Sequence, residues 1–177
     1  HVISSEYEIA VDSTVRIILG NFDHTQTLII DPILIFASYL GGTDIDAIYD
    51  MAVDGNGDVY VTGETSSLDF PATPGALGTG LNGSNDIFVF KLDSTGAVLS
   101  YATYIGGSAQ ENGRAITVDA GGNVYLTGNV RSLDFPVTAS AYDTTRNSVS
   151  DSYVLKLNSS GSNLLYASYL GGNNNDE

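Results

Sequence analysis

The sequence predicts an all-β fold: four-stranded antiparallel β-propeller-type blades in tandem, forming an open stack of about three sheets. Three observations carry this. The phrase "YLGG" at 39–42 returns as "YIGG" at 104–107 and "YLGG" at 169–172, each time after 65 residues. Displacing the sequence by that interval aligns 33–97 with 98–162 without a gap and gives 27 identities in 65 pairs, so one period is one structural unit. Within each period the apolar residues fall in short β-branched and aromatic runs, and no window shows helical periodicity.

The elements follow in order. Upstream of the first "YLGG", the runs "EYEIAV" (6–11), "TVRIIL" (14–19) and "TLIID" (27–31) read as strands separated by turn-forming residues. With a fourth strand over 33–40 they would make an atypical first sheet. In the first full period, strands near 48–53 and 59–62 flank "DGNGD", whose Gly and Asn suit a tight hairpin turn. Strands over 87–92 and 98–105 flank "DSTG". Between the hairpins, "SSLDFPATPGALGTGLNGSN" has the Pro and Gly of an irregular loop. The chain therefore divides into an N-terminal β-rich segment (1–32), repeat one (33–97), repeat two (98–162) and the start of a third (163–177). The 1–32 segment reads either as that first sheet or as the end of an upstream domain. A small twisted sheet that is apolar on both faces needs neighbours stacked on it, and three sheets do not close a ring of four to eight blades.

The phrases "YLGG", "AVDGNGDVYVTGETSSLDFPATPGAL" and "DIFVFKLDSTG" resemble the bacterial SBBP β-propeller repeat family, over about 33–177. The resemblance implies a propeller blade and a secreted or cell-surface setting, and it brings no established reaction, cofactor or catalytic set. One departure is "DAGGN" (119–123) in repeat two where repeat one has "DGNGD".

Composition excludes several classes. Six basic against 21 acidic residues, a formal charge of -15, oppose binding to a phosphate backbone, so nucleic acid is not an expected partner. No apolar run approaches the length of a membrane helix. Cys is absent, which removes disulfides, thiolate nucleophiles and Cys-ligated zinc. The start at His1, with no Met or signal-like segment, reads as a processed or excised chain. The expected partner is another copy of the chain, through the open terminal sheets, with a glycan or surface protein as the alternative.

No catalytic set is assigned and no cofactor is expected. Asp54, Asn56 and Asp58 alternate as oxygen ligands do in a short Ca²⁺ loop, and the competing reading is a hairpin turn. The acids after each Gly-Gly (Asp44 and Asp46, Glu111, Asp176 and Glu177) raise a glycosidase as the third function class, although acids repeated in every unit more often decorate turns. Asn82 ("NGS") and Asn158 ("NSS") match the N-glycosylation pattern. Repeat packing is assigned to Tyr39, Gly41, Gly42, Phe70, Pro71, Tyr104, Gly106, Gly107, Phe135, Pro136 and Tyr169. In this reading the tyrosines pack between sheets and the phenylalanines plug the gap. Lys91 and Lys156 stand inside apolar strands, where a charge needs a partner, and Asp69 and Asp134 are the expected partners. The functional reading is a non-enzymatic structural or adhesive repeat protein. Its alternative is a ligand-binding propeller segment, with loop residues Leu77 and Tyr142 as contacts.

Overall fold

A computed structural model describes residues 5–9, 15–21, 25 and 36–176, and among these it holds ten β-strands and no helix. Two units make up the chain, His1–Leu34 and Ile35–Glu177. In the first, β1 (Ser5–Ile9) and β2 (Val15–Leu19) form an antiparallel hairpin with Ser5 opposite Leu19 and Ile9 opposite Val15. The strand expected over 27–31 lies outside the described residues, as do 33–35.

The second unit contains two four-stranded meanders. β3 (Asp46–Val53), β4 (Val59–Thr65), β5 (Asp86–Leu92) and β6 (Leu99–Ile105) pair in sequence order. One period later come β7 (Glu111–Val118), β8 (Val124–Val130), β9 (Asp151–Leu157) and β10 (Leu164–Leu170), again paired in order. The sheets are not closed into a barrel, as expected for tandem blades. The first hairpin turn is set by chemistry common to both repeats. Asp54 Oδ1 accepts from the backbone N–H of Asn56 and of Asp58, as Asp119 does from Gly121 and Asn123. Gly57 and Gly122 then take φ of 85° and 78°, a left-handed conformation that side chains with a Cβ resist.

Successive side chains of a strand point to opposite faces, which sorts the core into two layers. Tyr60, Ile87, Val89, Tyr101 and Ile105 share one cluster with Val124, Leu126, Tyr153, Leu155, Leu157 and Tyr169, so one face of the first blade is buried on the second. The other face of the first blade carries Val61, Phe88, Phe90, Leu92, Ala102 and Tyr104, with Phe70 laid on it. Removing such side chains from water stabilises the fold by roughly 1.5–3 kcal/mol each. The long loop runs along the outer strand instead of leaving its edge open. Thr73 N–H donates to the Ala102 carbonyl, and Gly78 O accepts from Tyr104 N–H. Leu77 N–H reaches across to the carbonyl of Gly161 in the second blade.

Two assignments are corrected. Residues 36–40 are not a strand, and Tyr39 is fully exposed, whereas its counterparts Tyr104 and Tyr169 are buried. The reason is pairing: β6 and β10 are hydrogen-bonded to β5 and β9, and no described strand pairs with 36–40. Phe36 nevertheless lies on Gly96 as Tyr101 lies on Gly161, so the segment keeps the contact one period upstream.

The buried tyrosines also do more than fill space. Tyr104 Oη donates to the Ser67 carbonyl at 2.8 Å and Tyr169 Oη to the Ser132 carbonyl at 2.9 Å, tying the loop to the outer strand over 37 residues in both blades. Tyr104→Phe leaves that carbonyl short of its donor and is expected to lower the unfolding free energy by about 1–2 kcal/mol. Tyr39→Phe is expected to change nothing, and urea denaturation of the two variants checks the contrast.

Candidate functional site

Each blade has two chemically distinct ends. At the hairpin end, register places Tyr60 directly opposite Lys91 and Tyr125 opposite Lys156. Lys91 Nζ sits 2.8 Å from Asp58, 4.0 Å from Asp54 and 4.9 Å from the centre of the Tyr60 ring. Lys156 Nζ is 3.1 Å from Asp119, 4.6 Å from the Tyr125 ring, and donates to Tyr125 Oη at 2.7 Å. Burial works against the Lys91 charge, but the Asp58 and Tyr60 contacts outweigh it and hold its pKa above the ordinary value. For Lys156 the bond to Tyr125 leads, then Asp119, in the same direction.

These distances overturn the pairing of Lys91 with Asp69 and of Lys156 with Asp134. The lysines stand near the hairpin end and the aspartates beyond the far end of the same sheet. Five residues separate Lys91 from Asp86, roughly 17 Å of strand. The same geometry bears on the Ca²⁺ reading. Asp54, Asn56 and Asp58 meet in one turn, where Asp54 holds two backbone amides and the Tyr60 hydroxyl, and both carboxylates face the Lys91 ammonium. Among the described residues no group of three or more His, Asp or Glu side chains converges on a metal position.

At the crossover end, where the chain leaves one blade for the next, carboxylates capture backbone amides. Gly107 N–H donates to Glu111 Oε2 (2.7 Å), Ser108 N–H to Asp134 Oδ1 (2.8 Å) and Ala109 N–H to Ser132 Oγ (2.7 Å). One period earlier the acceptors are Asp46 for Gly42, Asp69 for Thr43 and Ser67 for Asp44. Asp176 accepts from Gly172 in the third copy. The two glycines are required by close approach. A methyl on Gly106 would strike Asp86 and Glu111, and one on Gly107 would strike Ser132 and Asp134. Asp46, Glu111 and Asp176, considered above as catalytic acids, are thus engaged with the backbone; Glu177 lies outside the described residues. Spacing alone did not reveal this role for "SLDFP", although its Ser and Asp recur at fixed offsets after each Gly-Gly.

The remaining assigned residues divide by exposure. Phe70 stacks on Phe88 at 4.9 Å and meets Tyr104 edge-on at 5.6 Å, while Phe135 contacts Tyr153 at 5.0 Å and Tyr169 at 6.0 Å. Phe70 packs against the strands of its own blade. Phe135 does the same while sharing the cluster between the blades. Pro71 is exposed and Pro136 half-buried. Asn82 is exposed. The Asn158 amide nitrogen donates to Ser162 Oγ, while its oxygen accepts from two backbone amides, so this side chain serves its turn. Tyr142 is exposed and Leu77 half-buried.

The crossover carboxylates couple the fold to pH. Hydrogen bonds from the Ser108 backbone and side chain hold Asp134 below the ordinary carboxyl value, and those from Thr43 do so for Asp69. A depressed folded-state pKa contributes stability that is full above the unfolded value of about 3.9 and is lost as pH falls through the folded value. Asp86 is opposite in sign: burial first, then the charges of Glu111 and Asp134, raise its pKa, so its ionised form opposes folding. Asp134→Asn is therefore expected to lower Tm at pH 7, with the gap to the parent chain narrowing as pH drops below about 4. Melting curves across that range check it.

Among curated proteins none matches the chain at a significant level. The model of the SBBP family, described as a beta-propeller repeat, matches residues 35–71. That stretch spans the first Gly-Gly crossover, β3, β4 and the "SLDFP" acceptors, so this part of the chain is similar to the SBBP beta-propeller repeat, and its pattern returns one period later.

Proposed function

We propose that the chain is a non-enzymatic structural repeat protein of an extracellular or cell-surface setting, whose task is head-to-tail assembly of blades between copies. One observation carries this reading: each blade buries a face that its counterpart leaves exposed. On β7, Ile116 is 8% exposed against the first blade, while its equivalent Met51 on β3 is 55% exposed. Ile48 and Val53 are exposed beside Met51. Conversely Ile105 is 2% exposed within the inter-blade cluster, and its equivalent Leu170 is 41% exposed. Tyr166 is likewise more exposed than Tyr101, and Thr127 more than Thr62. Ala115, Tyr125 and Val154 add apolar surface on this second face.

The two exposed faces are the complementary halves of an interface already present once inside the molecule. A contact between different faces of identical copies is heterologous, and it propagates as a fibre or closes as a ring according to its rotation. No helix among the described residues is long and apolar enough to cross a membrane. Because a blade interface is mainly apolar, one charge placed in it is costly. Leu170→Lys is expected to shift the sedimentation distribution to smaller species without altering the far-UV spectrum, while the parent chain shows mass rising with concentration and rods or rings under electron microscopy. A parent chain that stays a single-mass monomer over the whole concentration series overturns the reading.

A further inference from the structure

At the crossover end of the two blades lies a polar cleft of about 170 Å³, formed within one copy of the chain. Ser150 lines it, is 2% exposed, and its Oγ is a buried hydroxyl without a hydrogen-bond partner among the described residues. A buried polar atom left so is normally engaged. Around it stand four side-chain amides, Asn85, Gln110, Asn112 and Asn129, and the guanidinium groups of Arg114 and Arg131. Arg114 lies 4.8 Å from the centre of the half-exposed Tyr49 ring and donates through Nε to Asn112. Arg131 is steadied by Gln110 at 2.9 Å.

A second, independent observation concerns the repeat. Eight of the nine lining residues differ in chemical class from their counterparts one period away, with Glu111 alone keeping its acid: Arg114 answers to Tyr49, Arg131 to Ser66, Gln110 to Ile45, Asn112 to Ala47 and Ser150 to Asn85. Packing and crossover positions such as Tyr104, Phe135 and Asp134 keep their class in both repeats. Two of the six Lys and Arg residues in a chain of charge -15 face this cleft, and the Arg146 guanidinium donates to the Arg131 carbonyl behind it. The two acids at the cleft are held elsewhere. Glu111 accepts backbone amides of Gly107, Arg131 and Ser132, and Glu64 faces the Tyr49 hydroxyl.

We propose that this cleft binds a carboxylate-bearing saccharide of the size of one uronate residue. Guanidinium groups match a carboxylate in geometry and charge, and side-chain amides together with a hydroxyl match the paired donors and acceptors of sugar hydroxyls. The site lies between two blades of a single copy, so it stands or falls separately from assembly.

The test titrates D-glucuronate, D-glucose and acetate into the full chain labelled with ¹⁵N. Glucuronate is expected to move the amide signals of Asn112, Arg131 and Ser150 saturably, with glucose and acetate at least about tenfold weaker. Arg114→Gln is expected to weaken glucuronate binding by about tenfold or more, and Ser150→Ala by about three- to tenfold. Ser150→Ala is also expected to leave Tm unreduced, because the hydroxyl it removes has no partner among the described residues. No localised shift, equal binding of acetate or of glucose, or a Tm loss in Ser150→Ala without loss of binding would each overturn the proposal.

Discussion

The constraint on which the blade depends is the satisfaction of backbone amides where the chain crosses from one sheet to the next. After Gly106 and Gly107 the peptide has left the β6 ladder, and its N–H groups can no longer be paired by a neighbouring strand. An unpaired buried amide costs about 1–3 kcal/mol; of the three that follow in succession, that of Gly107 is buried, that of Ala109 half-buried and that of Ser108 exposed. Glu111 at the start of β7 accepts the first, and Asp134 and Ser132 of the "SLDFP" loop accept the other two. Because those acceptors must come within hydrogen-bond reach of bare backbone, the crossover has room only for glycine. The Gly-Gly pair, the "SLDFP" phrase and the acid opening the next blade are therefore parts of one interaction, which explains why they recur together at a fixed interval.

Much of this was legible in the sequence at the level of strands and turns. The hairpins around 54–58 and 93–96 and the meander order follow from β-branched runs and turn residues, and repetition made them firm. What the period cannot supply is position along a strand. Lys91, Asp54, Asp58 and Asp69 are all in the first repeat, and three of the four recur as acids or amines in the second, so recurrence gives no preference among partners. Register does: Tyr60 opposite Lys91 puts the ammonium over the hairpin turn and leaves Asp69 at the other end. Tyr39 fails for a related reason. The phrase is the same as at Tyr169, but burial belongs to the paired strand around the phrase rather than to the phrase itself.

Repetition also separates two kinds of residue. A position that must pack against the next blade is constrained alike in each unit, as Tyr104 and Tyr169 are with their hydroxyls on the same loop carbonyl. A position that faces solvent between blades carries no such constraint and can diverge. From sequence alone the diverged positions look scattered, since they fall at the ends of β4 and β8 and the starts of β5, β7 and β9. The fold collects them at one corner because the strand ends of neighbouring blades meet there, as the bridge between Asn85 and Gln110 shows directly.

The two ends of the blade consequently use charge in different ways. At the hairpin end each lysine is enclosed by the acids and tyrosine of its own repeat, an arrangement complete within one blade and common to both. Its cation is already matched and offers little to an outside ligand. At the crossover end the acids are taken by backbone amides, while Arg114 and Arg131 occur once and are matched only in part by amide oxygens. In a chain of charge -15, general repulsion between copies is screened at physiological salt beyond about 8 Å. In the proposed assembly, stacking would be governed by apolar faces such as that around Leu170, and the corner that holds Arg114 and Arg131 would recur once per copy.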